Sequence, residues 1–254
     1  MSNNPATAWP SGYGRHILQT VDSTLDEAAR MAPTLSGPTW ILAHMQTGAR
    51  GRRGRAWAMP KGNFAATLVL RPTEPPAVVA LRSFVASLAL FDALVDCTGR
   101  AAPFALKWPN DVLLNGGKLA GILLESATQT DGTNHLSIGI GVNLCAAPPK
   151  GDVEADALAP VDLLSETGVP ITPEEFLDVL AAAYARWETS FTTYGFAPIR
   201  EAWLSRAARL GEPIRARTTT QEFHGTFETI DAHGNLVLLT SSGRHAIPAA
   251  DVFF

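Results

Sequence analysis

KWPNDVLLNGGKLAGILLE, from Lys107 to Glu125, holds two runs rich in Leu, Ile and Val, separated by Asn115-Gly116-Gly117. Turn residues between two short apolar runs spell a β-hairpin: one strand through Leu114, a tight turn, and a return strand from Lys118. The same stretch carries charge where a buried hairpin does not want it. Lys107 precedes the first run and Lys118 opens the second. Desolvating an ammonium costs several kcal/mol unless an anion meets it. One lysine could reach back to water along its own stem. Two on one hairpin, beside Asn110 and Asp111, point to a site for a polyanion. The cost of burying them is then offset only when ligand is present.

Outward from the hairpin the pattern is mixed. Downstream, HLSIGIGVNL (His135 to Leu144) alternates as a further strand. Upstream, TWILAHMQT (Thr39 to Thr47) and GNFAATLVLRP (Gly62 to Pro72) read as buried strands. Leu81, Phe84, Val85, Leu88, Phe91 and Val95 fall at helical spacing between Pro76 and Asp96. Ser23 or Thr24 caps an earlier helix, with Asp26 or Glu27 placed to complete a capping box. The Pro/Ala-rich stretch from Cys145 to Pro160 reads as a loop, followed by helices from about Pro173 to Tyr194 and Pro198 to Arg209. After RLGEP the texture changes to short alternating stretches broken by turn residues, a β-module of four or five strands. The expected fold class from this pattern is α/β (α+β). A larger domain spans 1–209 and a small β domain spans 210–254.

Composition narrows the function classes. A chain of 254 residues with 46% hydrophobic and 17% charged residues folds as a globular protein with a sizeable core. The N-terminus lacks the design of a signal peptide, and no apolar run reads as a membrane span. Cys97 and Cys145 need not pair, and the histidines are scattered singly without metal-ligand spacing. A cytoplasmic protein without disulfides, a protein-held metal or a membrane partner is expected. The net charge of -4 argues against a nucleic-acid binder. Against that background RGRRGRAW, Arg50 to Trp57, needs a local explanation. Two apolar strands hold its ends. Gly48, Gly51 and Gly54 could bring backbone N–H groups close to an anion, and arginines fork onto carboxylate or phosphate oxygens.

Taken in order and spacing, QTGARGRRGRAW, KWPNDVLLNGGKLAGILLE and GIGVN resemble the catalytic domain of biotin–protein ligases. The similarity covers nearly the whole chain, including the upstream Asp-Ser-Thr. It implies a mixed sheet flanked by helices, followed by the C-terminal β-module, which that family carries as an SH3-like β-barrel. The resemblance implies activation of biotin by ATP and Mg²⁺ to biotinyl-5′-adenylate. Transfer to one lysine of a biotin carboxyl carrier protein follows, as in acetyl-CoA carboxylase. It implies that Ser23, Thr24 and Gln46 line the biotin pocket, and that Arg50, Gly51 and Arg52 close over biotin and the adenylate phosphate. Lys118 would reach the biotin carboxylate and α-phosphate, with Lys107, Asn110 and Asn143 on the nucleotide. Asp111 would orient Lys118 or the attacking lysine, making Lys118, Arg52 and Asp111 the catalytic set. Trp57 and Trp108 are candidates to pack on the adenine or the biotin tail, with a core role open for each.

Two positions depart from the family: Gly48-Ala49 where alanine-glycine is usual, and Leu25 where asparagine often follows Ser-Thr. Only a short segment precedes Val21, so no DNA-binding helix-turn-helix and no transcriptional control are expected; a homodimer is left open. The rival readings are a lipoate/octanoate–protein ligase and a non-catalytic biotin- or nucleotide-binding protein.

Overall fold

Alternation along Asn134–Val142 (β7) sorts side chains to two faces. Leu136, Ile138, Ile140 and Val142 are buried in the core, which leaves Gly139 and Gly141 for the opposite face. The computed structural model describes residues 8–128, 134–149 and 157–254. In it β7 lies between Phe64–Leu70 (β3) and Gly117–Thr128 (β6). Thr39–Ala43 (β2), Gly14–Leu18 (β1), Asp111–Leu114 (β5) and Phe104–Lys107 (β4) complete a seven-stranded sheet in the order β1-β2-β3-β7-β6-β5-β4. β1 runs parallel to β2 and the other pairs are antiparallel, which makes the sheet mixed.

Helices cover both faces. Arg82–Thr98 (α3) and Pro173–Tyr194 (α5) pack on one, where Tyr184 meets Trp40 and Phe176 meets Phe64 edge to face. On the other, Thr24–Met31 (α1) lays Ala28 on Ile41 and Val69. The predicted helix from Pro76 is broken after one turn, Pro76–Val79 (α2), before α3 begins. Together these residues are long and apolar enough to cross a membrane, but 72% of the apolar window is buried inside the fold, which marks a core helix. Leu163–Thr167 (α4) is a short addition, and Phe196–Leu204 (α6) starts earlier and stops sooner than expected.

Three local readings are corrected. The first arm of the hairpin is two strands, because Trp108-Pro109-Asn110 forms a turn with a cis Trp108–Pro109 bond and folds β4 back on β5. β1, an exposed edge strand with little apolar signature, went unread. Ser23 caps α1 by accepting from the Leu25 N–H, but no capping box forms: Asp26 bonds Arg50 and Glu27 bonds Arg30. Of the Cys145–Pro160 loop, 145–149 and 157–160 are irregular apart from a bridge at Pro160; 150–156 lie outside the described residues.

The C-terminal strands are Pro213–Arg217 (β8), Glu222–Ile230 (β9), Leu236–Thr240 (β10), Gly243–Ile247 (β11) and Asp251–Phe253 (β12). They form an antiparallel sheet in the order β11-β10-β9-β8-β12, which fits the expected SH3-like module. Its core is continuous with that of the larger sheet: Phe227 meets Trp203, and the Trp108 indole N–H donates to the Gly234 carbonyl at 3.1 Å.

Candidate active site

Glycines on the face opposite the core open a cavity of about 580 Å³. Across β3, β7 and β6 the register places Ala65, Gly141 and Gly121 in one row and Thr67, Gly139 and Leu123 in the next. A Cβ on Gly141 would stand 2.8 Å from the Trp57 indole, and one on Gly139 would stand 3.0 Å from the Leu25 side chain. Only hydrogen at these positions lets Trp57 and Leu25 lie against the sheet and leaves a floor for a ligand.

The lysines owe their place to a break in the alternation. Ala120 and Ile122 point into the core, and strict alternation would send Lys118 there too. Instead the register with β5 shifts between Val112 and Leu113, Leu119 takes the core position, and Lys118 lines the cavity. Lys118 Nζ lies 2.8 Å from Asp111 Oδ1, and Lys107 Nζ lies 3.8 Å from Asp111 Oδ2. Burial pushes the Asp111 carboxyl up, but the two lysines outweigh it and hold the group below the usual carboxylate range. Burial likewise draws the Lys107 ammonium down, against the pull of Asp111. The expectation that the lysines' burial is offset only by ligand is thus corrected. Asp111 already compensates part of it, leaving one positive charge in excess.

At the other end the polar groups form a chain. Thr67 Oγ1 donates to Thr24 Oγ1 at 2.9 Å, and the Thr24 hydroxyl and amide both donate to Gln46 Oε1, at 3.1 and 2.7 Å. Ser23 is buried beside them. Asn110 donates to the Ile122 carbonyl, which ties its turn to β6. Asn143 donates to the Val161 carbonyl at 3.0 Å, while its Oδ1 is buried without a partner among the described residues.

The arginine loop folds back on itself, with a bridge between Arg50 and Ala56 and left-handed backbone at Arg53 and Gly54. The Gly51 N–H donates to the Arg55 carbonyl at 2.7 Å and the Gly48 N–H to the Asp22 carbonyl at 2.7 Å. Those glycine amides therefore stabilise the turn and do not face an anion, which corrects the expected cradle. Arg50 binds Asp26 and Glu125, while Arg53 and Arg55 meet Asp251 of β12 at 2.6 and 3.2 Å. Arg52 meets no carboxylate within ion-pair distance among the described residues. Its Nη1 touches Asn110 Oδ1 and the Ala250 carbonyl, each at 3.5 Å, and burial lowers its pKa.

Every site residue expected from the sequence lines this one cavity: Ser23, Thr24, Gln46, Arg50, Gly51, Arg52, Lys107, Asn110, Asp111, Lys118 and Asn143. The two tryptophans separate. Trp57 lies on the cavity, its ring 5.6 Å from Lys118 Nζ, whereas Trp108 is buried at the junction with the C-terminal sheet. Sequence reasoning missed Thr67, Asp26, Glu125 and Asp251. A threonine inside FAATLVL and an acid closing LAGILLE were signals of a kind, but nothing local marks Asp251.

The profile of the biotin/lipoate A/B protein ligase family matches residues 16–143, and that of the biotin protein ligase C-terminal domain matches residues 210–254. The biotin–[acetyl-CoA-carboxylase] ligase of Paracoccus denitrificans is 59% identical over 94% of this chain and 99% of its own length. The bifunctional ligase/repressor BirA of Bacillus subtilis is 31% identical over 94% of this chain and 74% of its own. Among solved structures, the biotin protein ligase from Aquifex aeolicus in complex with biotin and ATP superposes with a TM-score of 0.80 at 26% identity, covering 94% of this chain and 98% of that one. A sheet and cavity of this design, with both profiles matched in sequence order, place the chain in the biotin/lipoate A/B protein ligase family, on the side that carries the biotin protein ligase C-terminal domain.

Proposed function

We propose that this chain is a biotin–[acetyl-CoA-carboxylase] ligase, which activates biotin with ATP and passes the biotinyl group to a lysine of a carrier protein. The observation that carries the reading is the convergence of Lys118, Lys107, Asp111 and Arg52 above a glycine floor in one cavity.

In the first step a biotin carboxylate oxygen attacks the α-phosphorus of ATP and pyrophosphate leaves. Two anions must be brought together, and fixed cations lower that barrier without reorganising at the moment of reaction. Lys118 would meet the carboxylate and α-phosphate, with Lys107 and Arg52 toward the phosphates; their common place on the cavity supports this assignment. Thr24, Gln46 and Ser23 suit a ureido ring, which both donates and accepts hydrogen bonds. The unpaired Asn143 Oδ1 suits a donor such as a ribose hydroxyl. In the second step the carrier's amine attacks the acyl carbon, AMP leaves and the amine loses a proton. Asp111, held as a carboxylate, is suited to orient Lys118 or the incoming amine. The two units acting together would be the catalytic domain, 1–209, and the SH3-like domain, 210–254.

A cation is a different matter. No group of three metal-ligating side chains occurs among the described residues, and the cavity's carboxylates, Asp111 and Asp251, are already paired with lysines and arginines. The described residues do not offer a cage for Mg²⁺; the ion would enter on the triphosphate. The lipoate alternative is disfavoured by the match to the biotin protein ligase C-terminal domain. Biotin-dependent exchange of labelled pyrophosphate into ATP, followed by labelling of a carrier domain at one lysine, is the test. Exchange that depends on lipoate or octanoate instead would overturn the reading.

A further inference from the structure

Arg50 was expected on the ligand, yet its guanidinium is occupied on both edges. Nη1 donates to Asp26 Oδ2 at 2.8 Å, while Nε and Nη2 donate side by side to the Glu125 carboxylate at 3.2 and 3.0 Å. Such a fork is the most directional ion pair a side chain can form. Two carboxylates around one guanidinium leave the trio with a net negative charge, so an approaching carboxylate or phosphate is repelled there. The place of the trio also matters. Asp26 stands in the first turn of α1, Glu125 on β6, and Arg50 at the bridge with Ala56 that closes the base of the arginine loop. Arg52, two residues on, is the loop arginine without a carboxylate partner among the described residues.

We propose that Asp26 and Glu125 are positioning residues that hold Arg50 as the root of the loop. Arg50 itself does not take the ligand's charge; the tether sets where Arg52 stands over the cavity. The inference rests on the ligase reading and assigns Arg50 a different part in it.

The two roles for Arg50 predict opposite signs. If Arg50 is a tether, Asp26→Asn with Glu125→Gln loosens the loop and raises the KM for biotin and ATP about five- to twentyfold in pyrophosphate exchange. The thermal midpoint should stay close to wild type, because all three side chains are partly exposed. Arg50→Ala should act in the same direction, and combining it with the acid variants should add little, since all cut one tether. In the ligand-free protein, trypsin should cleave after Arg52, Arg53 or Arg55 several-fold faster in the acid variants. If Arg50 is instead a ligand group held back by the acids, neutralising them frees it, and the KM for ATP falls. A lower KM, full additivity with Arg50→Ala, or unchanged cleavage in either single acid variant overturns the proposal. The tryptic comparison needs no ligand, so it judges the tether even where wild-type exchange fails and the ligase reading falls.

Discussion

The two basic clusters around the cavity solve one problem in different ways. The lysine cluster is built within one short meander, where Lys107, Asp111 and Lys118 lie on the adjacent strands β4, β5 and β6 of one sheet. The arginine loop is balanced from afar, by Asp26 on α1, Glu125 on β6 and Asp251 on β12 of the C-terminal sheet. The lysine cluster leaves one positive charge in excess, and Arg52 adds a second cation with no carboxylate within ion-pair distance among the described residues. The strand-held charges are fixed by backbone hydrogen bonds and core packing. The loop-held charges depend on partly exposed pairs, each of which contributes little alone. The first cluster is suited to chemistry and the second to a cover that can open.

Removing Lys118 probes the rigid side and has the largest expected effect. Lys118→Ala should slow biotin-dependent pyrophosphate exchange about 100- to 1,000-fold, the scale of losing one preorganised charge at a reacting centre. Because Lys118 also pairs with buried Asp111, the ligand-free protein should lose about 1–3 kcal/mol in denaturant melts. Near-wild-type exchange would remove Lys118 from the chemistry.

Arg52→Gly tests the loop. The adenylate should still form, since the lysine cluster is intact, but one charge-assisted contact is gone. At about 1.4 kcal/mol per decade and about 1.5–3 kcal/mol per contact, the intermediate should escape about ten- to a hundredfold faster. A streptavidin blot of bystander albumin reads this directly; labelling no greater than wild type, with exchange continuing, would show that Arg52 does not retain the intermediate.

Asp251→Asn is gentler. It removes the carboxylate that Arg53 and Arg55 share, and the pairs are exposed on the arginine side, so about 1 kcal/mol and a few-fold rise in loop cleavage are expected. A loop as resistant to trypsin as wild type would mean that the C-terminal sheet does not hold it.

The smallest effect is the pH response of the lysine cluster. The folded Asp111 pKa is depressed, so the stability it contributes is complete above its ordinary value near 4 and is lost as pH falls through the folded value. Melts should change little on this account from pH 7 to 5 and decline below about pH 4, less steeply in Asp111→Asn. An equally steep decline in the variant would separate Asp111 from the acid response.

Much of the site was legible because its determinants are local. The alternation in GIGVN sorts isoleucine and valine to the core and glycine to the cavity, and a turn at Asn115-Gly116 makes the hairpin, each readable from neighbouring residues alone. What the sequence by itself determined was the buried strands and helices of an α/β chain, the C-terminal β-module and, through the order and spacing of its motifs, the residues that the family resemblance assigned to one cavity. The parallel pairing of β1 that makes the sheet mixed was decided by the tertiary structure. Only the tertiary structure decided how the charges are apportioned. The bulge that turns Lys118 toward the cavity depends on register between strands, and a one-residue slip carries no mark in composition. Arg50, Arg53 and Arg55 find their carboxylates between 24 and 198 positions away. Ion pairs act through space within a few ångströms, so which arginine is neutralised and which is left for a ligand is settled only once the chain has folded.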